Sequence, residues 1–170
     1  MVELGMGNGI NKLNSYHMKK KLSLFWALSI IMGVLCTVES KAQNQQHEKQ
    51  ITQQVQVFFE GLNSKDTLKI KATLAKQVDM STLLIKDNQE QLVKNDLQDF
   101  LNQIGRLTKD FKIQERISNL EVHVNFPLAS VLTNYQFYVN DELSHSGVNL
   151  FNLAFFENKW QIISINDSRQ

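Results

Sequence analysis

Residues 120–167 read LEVHVNFPLASVLTNYQFYVNDELSHSGVNLFNLAFFENKWQIISIND, and this stretch decides the fold. Apolar and polar residues alternate through it, and turn residues recur roughly every 12 positions, the pattern of an antiparallel meander. Leu120, Val122, Val124 and Phe126 share one strand face. Pro127-Leu128 turns the chain into a strand over residues 129–139, with Val131, Tyr135, Phe137 and Val139 on one face. Asn140-Asp141-Glu142 turns it again, residues 143–156 form a long strand, Glu157-Asn158 turns, and residues 159–167 form the last strand. Just upstream, Ile113 and Ile117 have the opposite parity to Leu120, which predicts a bulge near Ser118-Asn119.

Before this stretch the period changes to that of helices. Ile51, Val55, Phe58, Phe59 and Leu62 fall on one helical face within residues 43–63, and Gly61 and Asn63 supply the stop. Asp66 can cap a second helix over residues 66–76. Short apolar patches over residues 78–94, around Lys86-Asp87-Asn88, fit a small hairpin. Asn95 opens a third helix, with Gln98 in a capping-box position and Gly105 as its stop. Leu97, Phe100, Leu101 and Ile104 form its apolar face. The sum is an α+β class domain: three N-terminal helices packed on a curved, mainly antiparallel sheet.

The N-terminal part reads differently. Lys19, Lys20 and Lys21 precede an uncharged apolar run from Leu22 to Val38, and Ser40 and Ala42 place small residues before a cut after Ala42. This is the grammar of an export signal over residues 18–42, with residues 1–17 as an upstream extension, a mis-assigned start. The expected location is therefore periplasmic or secreted. The alternatives are an uncleaved anchor, for which 17 apolar residues are short, and a lipoprotein through Cys36, whose preceding residues make a poor lipobox. Residues 43–170 then form a single domain of 128 residues, with no membrane attachment after cleavage. That domain holds 13 Lys and Arg against 15 Asp and Glu, so it lacks the basic footprint of a nucleic-acid binder. It has no cysteine, which removes disulfides, thiol nucleophiles and thiolate metal sites. His47, His123 and His145 lie far apart; Glu121 and His123 share a strand face, but an exposed face explains the pair as well as a metal does. No metal or cofactor is expected.

The spaced pattern His145-Ser146-Gly147, Phe151-Asn152-Leu153, Trp160-Gln161-Ile162 and Asp167-Ser168-Arg169 resembles the nuclear transport factor 2-like superfamily of cone-shaped α+β domains. It resembles in particular an exported bacterial branch labelled lumazine-binding or polyketide-cyclase-like. The resemblance spans residues 47–169 and implies a pocket between the helices and the concave face of the sheet, often in a homodimer. It implies pocket residues Phe58, Phe59, Phe100, Tyr135, His145, Asn149, Phe151 and Trp160.

Three residues are candidates for chemistry. His145 shares parity with Asn149, Phe151, Leu153 and Phe155, and a pocket histidine can act as acid or base. Its plainer reading is a solvated histidine near a strand start. Asp79, expected between the second helix and the hairpin, is a base candidate if buried and a turn residue otherwise. Tyr135 can donate a phenolic hydrogen bond into the pocket, or simply pack. Asp167 and Arg169 read as a salt bridge holding the C-terminus. The leading expectation is an exported small-molecule-binding or accessory domain for a small apolar or aromatic ligand. The alternatives are an isomerase, dehydratase or cyclase, and a protein-interaction module. A homodimer is expected because both faces of the 129–139 strand are apolar: Val131 and Phe137 on one, Leu132 and Tyr138 on the other.

Overall fold

The structure, a computed structural model, describes residues 41–87 and 89–170. The expected extension over 1–17, and all but the last two residues of the expected signal over 18–42, lie outside the described residues. Helix α1 covers residues 41–64, α2 Thr67–Thr73 and α3 Leu97–Arg106. The strands are β1 (Leu74–Lys86), β2 (Gln89–Asn95), β3 (Ile113–Asn125), β4 (Leu128–Val139), β5 (Glu142–Phe156) and β6 (Lys159–Arg169). They form a single six-stranded sheet in the order β2-β1-β6-β5-β4-β3. All neighbours are antiparallel except β1 and β6, which run parallel. The class is therefore α+β, with helices packed on a mainly antiparallel sheet.

The apolar face of α1 forms the core as its spacing predicts: Ile51, Val55, Phe58, Phe59 and Leu62 are each at most 4% exposed. Phe58 and Phe59 meet Phe151 of β5 edge to face, with ring centroids 5.5 Å apart in both pairs. The end of α1 is clamped to the sheet edge. Asn63 accepts the Glu115 N–H at 2.6 Å and donates to the Glu115 carbonyl at 3.1 Å. Lys65, with φ 58°, then donates to the carbonyls of Thr108 and Phe111.

Two of the three hairpin turns of the meander, β4–β5 and β5–β6, have the backbone that right-twisted strands favour. Asn140 and Asp141 (φ 50° and 69°) and Glu157 and Asn158 (φ 52° and 61°) put both central residues in the left-handed region. The bulge expected near Ser118-Asn119 is present: the β3–β4 register shifts between Ser118 and Glu121, and Asn119 has φ 53°.

Three local expectations are corrected. Asp66 caps α2, accepting from the Leu68 and Lys69 N–H groups, but the helix ends at Thr73 instead of residue 76. Leu74 is taken up by the sheet through its pairing with Ile162, so a long-range ladder overrides the helix propensity of Ala72 and Ala75. The cap of α3 is Asp96, which accepts from the Asp99 N–H at 2.9 Å. Asn95 ends β2 and spends its side chain on Thr82, while Gln98 donates to Asn102 instead of closing a capping box. Gly105 lies inside α3, and the helix stops one residue later.

Two substitutions test this packing by denaturant unfolding. Phe151→Ala should cost about 3–5 kcal/mol, as for a fully buried aromatic cut to a methyl group. Asn63→Ala should cost about 1–3 kcal/mol, because it strands both polar groups of the Glu115 backbone. A loss under about 1 kcal/mol for Phe151→Ala would contradict the core described.

Candidate functional site

Cross-strand registers place residues in rows on the helix-facing side of the sheet. The row Met80–Ile165–Phe151–Val131–Val122 is apolar throughout. Two residues earlier on β5, the row Thr82–Asp167–Asn149–Thr133 is polar throughout. Beyond it lie Gly147 with Tyr135 and Ile117, and then His145 with Phe137 and Glu115. The strand β5 does carry an extra residue against β4, at Ser144, but this lies before His145. The parity from His145 to Phe155 therefore holds, and His145, Asn149 and Phe151 look to the same side.

Between these rows and the helices lies a cavity of about 540 Å³. Phe58, Phe59 and Leu62 of α1, Phe100 and Ile104 of α3, and Phe151 form its apolar wall. Glu115, Tyr135, His145, Asn149, Asp167 and Arg169 form its polar end. Seven of the eight residues expected at a pocket line this one. Trp160 does not. It lies in a separate aromatic cluster with His47, Phe126 and Phe155, where its indole N–H donates to His47 Nδ1 at 3.2 Å. Asp79 is also elsewhere: it is exposed on β1, since the strand begins earlier than expected and carries it away from the cavity. Among the described residues Asp167 and Arg169 form no ion pair. Asp167 instead accepts a 2.6 Å hydrogen bond from Thr82, whose oxygen in turn accepts from Asn95 at 2.8 Å.

The architecture matches solved structures. A nuclear transport factor 2-like protein of unknown function from Pseudomonas putida KT2440 superposes with a TM-score of 0.59 at 17% identity, covering 71% of this chain and 84% of that one. Another, from Shewanella baltica OS155, gives 0.56 at 17% identity, covering 74% and 94%. A protein from Streptomyces avermitilis named as a candidate dehydratase of the same family gives 0.57 at 13% identity, covering 75% and 98%. This chain has the nuclear transport factor 2-like fold. No family model and no curated protein matches the sequence.

Within this nuclear transport factor 2-like fold, the residue that sequence reasoning missed is Glu115. Its carboxylate enters the cavity and accepts a 2.7 Å hydrogen bond from Asn149 Nδ2. Burial raises its pKa to about 7; the Asn149 hydrogen bond opposes the rise, and the nearby Asp167 charge adds to it. A signal for it exists in the sequence: Glu115 stands between Ile113 and Ile117 on the inward parity of β3. A charged residue at such a position is either paired or functional.

His145 stacks on Phe137, with centroids 5.0 Å apart, and meets Tyr135 edge-on. Burial, helped by the Arg169 charge, lowers its pKa to about 4, so the ring is neutral at pH 7. Tyr135 is held as a phenol by burial and by the charges of Asp167 and Glu115. Its hydroxyl donates to the Ser168 carbonyl at 2.9 Å, so toward a ligand it is an acceptor, not the donor expected. Gly147 makes this contact possible: a Cβ there would stand 1.8 Å from the Ser168 oxygen and 2.9 Å from the Tyr135 ring.

Glu115 supplies a pH-dependent test. Its carboxyl binds a proton more tightly when folded than at its ordinary value of 4.5. The stability this protonated form provides is complete below pH 4.5 and is lost as pH rises through about 7. Glu115→Gln keeps the acceptor for Asn149 and has no charge to bury. Thermal melts of the variant and the parent should coincide near pH 4, and the variant should be the more stable at pH 8, by at most about 3 kcal/mol. Equal pH profiles would show that Glu115 is not desolvated.

Proposed function

We propose that this chain is an exported small-molecule domain whose cavity holds a partly apolar, ring-bearing ligand and exchanges a proton with it through Glu115. The observation that carries this reading is the Glu115 carboxyl, hydrogen-bonded to Asn149 at the polar end of a cavity whose other end is walled by phenylalanines. A carboxyl that gains and loses a proton near neutrality is suited to general acid–base work. Phe58, Phe59, Phe100 and Phe151 receive the apolar body of the ligand, and neutral His145 and Asn149 orient its polar end. The reaction class this supports is proton transfer at carbon or oxygen, as in an isomerase, dehydratase or cyclase. The name of the Streptomyces avermitilis neighbour is consistent with that class. The second reading is binding without turnover, in which protonated Glu115 donates a hydrogen bond to a carried ligand; a lumazine-like ring system fits this version. An open cavity speaks against a pure interaction module with a filled centre.

Native mass spectrometry of the protein purified from its own compartment should find a retained small molecule. With that molecule in hand, Glu115→Gln should keep binding and abolish turnover if the carboxyl moves a proton. If it only donates, binding should weaken and no product should form with either protein. His145→Ala should leave the fold intact and weaken binding. Unchanged affinity and rate in both variants would remove the site from consideration.

Export rests on the order of Lys19–Lys21, the apolar run over 22–38 and the small residues Ser40 and Ala42. N-terminal sequencing of the exported chain should begin at Gln43; a chain that keeps Leu22 to Val38 would favour the anchor. A homodimer is supported by the outward side of β4 and β5, where Leu132 is 39% exposed beside half-buried Leu150 and Val148. Sedimentation at micromolar concentration should give twice the monomer mass, and Leu132→Glu should reduce it to the monomer.

A further inference from the structure

A second groove, of about 830 Å³, opens between the end of α2, the start of β1, the start of α3 and the β5–β6 turn, and it shares no residue with the cavity described above. Its floor is apolar, formed by Leu74, Ala75, Leu97, Leu101 and Ile163. Its rim carries Lys71, Lys76 and Lys159, all exposed, against the single acid Glu157. Among the described residues none of these three lysines pairs with a carboxylate. The sign is opposite to that of residues 43–170, which carry two more acids than bases.

The backbone along this groove is also unusual. β1 pairs with β6 at Leu74↔Ile162 and not again until Asp79↔Ser164. Ala75, Lys76, Gln77 and Val78 therefore have no register partner on β6, where only Ile163 stands opposite them. They have none on β2 either, because that pairing begins at Met80. Ala75, Lys76 and Gln77 line the groove. Here a bulged strand offers backbone donors and acceptors beside an apolar floor and three free cations. An extended chain can satisfy all three features at once, with main-chain hydrogen bonds to the strand, apolar side chains in the floor and acidic side chains on the lysines. A small amphiphilic anion would use the floor and the lysines and leave the strand unpaired.

We infer that this groove docks an extended acidic segment of a partner protein, one alternating apolar and acidic residues, by strand addition at Ala75–Val78. The site is independent of the cavity and of any reaction there. A probe of the right chemistry is an acetylated, amidated hexapeptide of alternating Glu and Val, titrated into the ¹⁵N-labelled full-length chain. The amides of Ala75 to Val78 and of Lys159 to Ile163 should shift, and hydrogen exchange at Gln77 and Val78 should slow. The triple substitution Lys71→Gln, Lys76→Gln, Lys159→Gln removes only exposed charges, so its melting should match the parent; it should weaken binding by about tenfold. Raising the salt to about 0.5 M should weaken it as well. Four outcomes would overturn the inference: shifts confined to Glu115, His145 and Asn149, an alternating Gln-Val peptide binding as tightly, the triple variant binding as the parent does, or octanoate producing the same shifts and the same exchange protection.

Discussion

The contact on which the rest of this molecule depends is the packing of Phe58 and Phe59 of α1 on Phe151 of β5. Phe151 is fully buried and stands mid-way along a strand with a partner on each side. Seating the helix there decides which face of the meander is inward, and side-chain alternation then fixes the direction of every other residue on four strands. The same two helix residues are also cavity wall. Core and site are thus continuous: the rings that close the core on one side line the cavity with their other edges.

The change from core to site takes one step along the strands. Phe151 belongs to an apolar row, and Asn149, two residues earlier, belongs to a row of Thr82, Asp167 and Thr133. Within that row Thr82 donates to Asp167 and accepts from Asn95, and Thr133 donates to the Ser118 carbonyl. Asn149 reaches along the cavity to Glu115 with its amide. A carboxyl facing phenylalanine rings pays for its desolvation with one hydrogen bond, and the balance is met by holding its proton to higher pH. The clamp of Asn63 on the Glu115 backbone fixes this residue from the helix side, so the carboxyl is positioned by both layers of the fold.

Much of this was legible in the sequence because it is local. The face of α1, the two left-handed turns, the Asp66 cap and the bulge at Ser118-Asn119 follow from spacing and residue type within a dozen positions. What was not legible depends on partners far away in the chain. Leu74 leaves α2 because Ile162 offers it a ladder, and the parallel pairing of β1 with β6 has no local sign. Asp79 and Trp160 looked like pocket residues for want of that register, and the structure puts one in solvent and the other against His47. Glu115 was readable in principle, from its inward parity between Ile113 and Ile117, but only once β3 is known to face the helices there. Gly147 gives another instance: its need appears only when Tyr135 reaches across it to Ser168.

Burial acts with opposite sign on the two titratable residues of the row formed by Glu115, Phe137 and His145. It raises the carboxyl from 4.5 to about 7 and lowers the imidazole from 6.5 to about 4. The ordinary order of proton affinity is thereby inverted, so that as pH falls the carboxyl takes up a proton before the imidazole does. With Glu115 protonated, the polar end presents a carboxylic acid that can donate, a neutral ring that can accept, and a phenol whose hydrogen is already committed to Ser168. Asp167, bound to Thr82, and Arg169, at the exposed end of β6, complete this end, while Lys94, Asp96 and Asp99 line the cavity from the end of β2 and the start of α3. On the function we propose, this end suits a molecule with one acceptor for Glu115, one donor for His145 and a flat apolar body for the phenylalanines, with the exchangeable proton on the carboxyl that would transfer it.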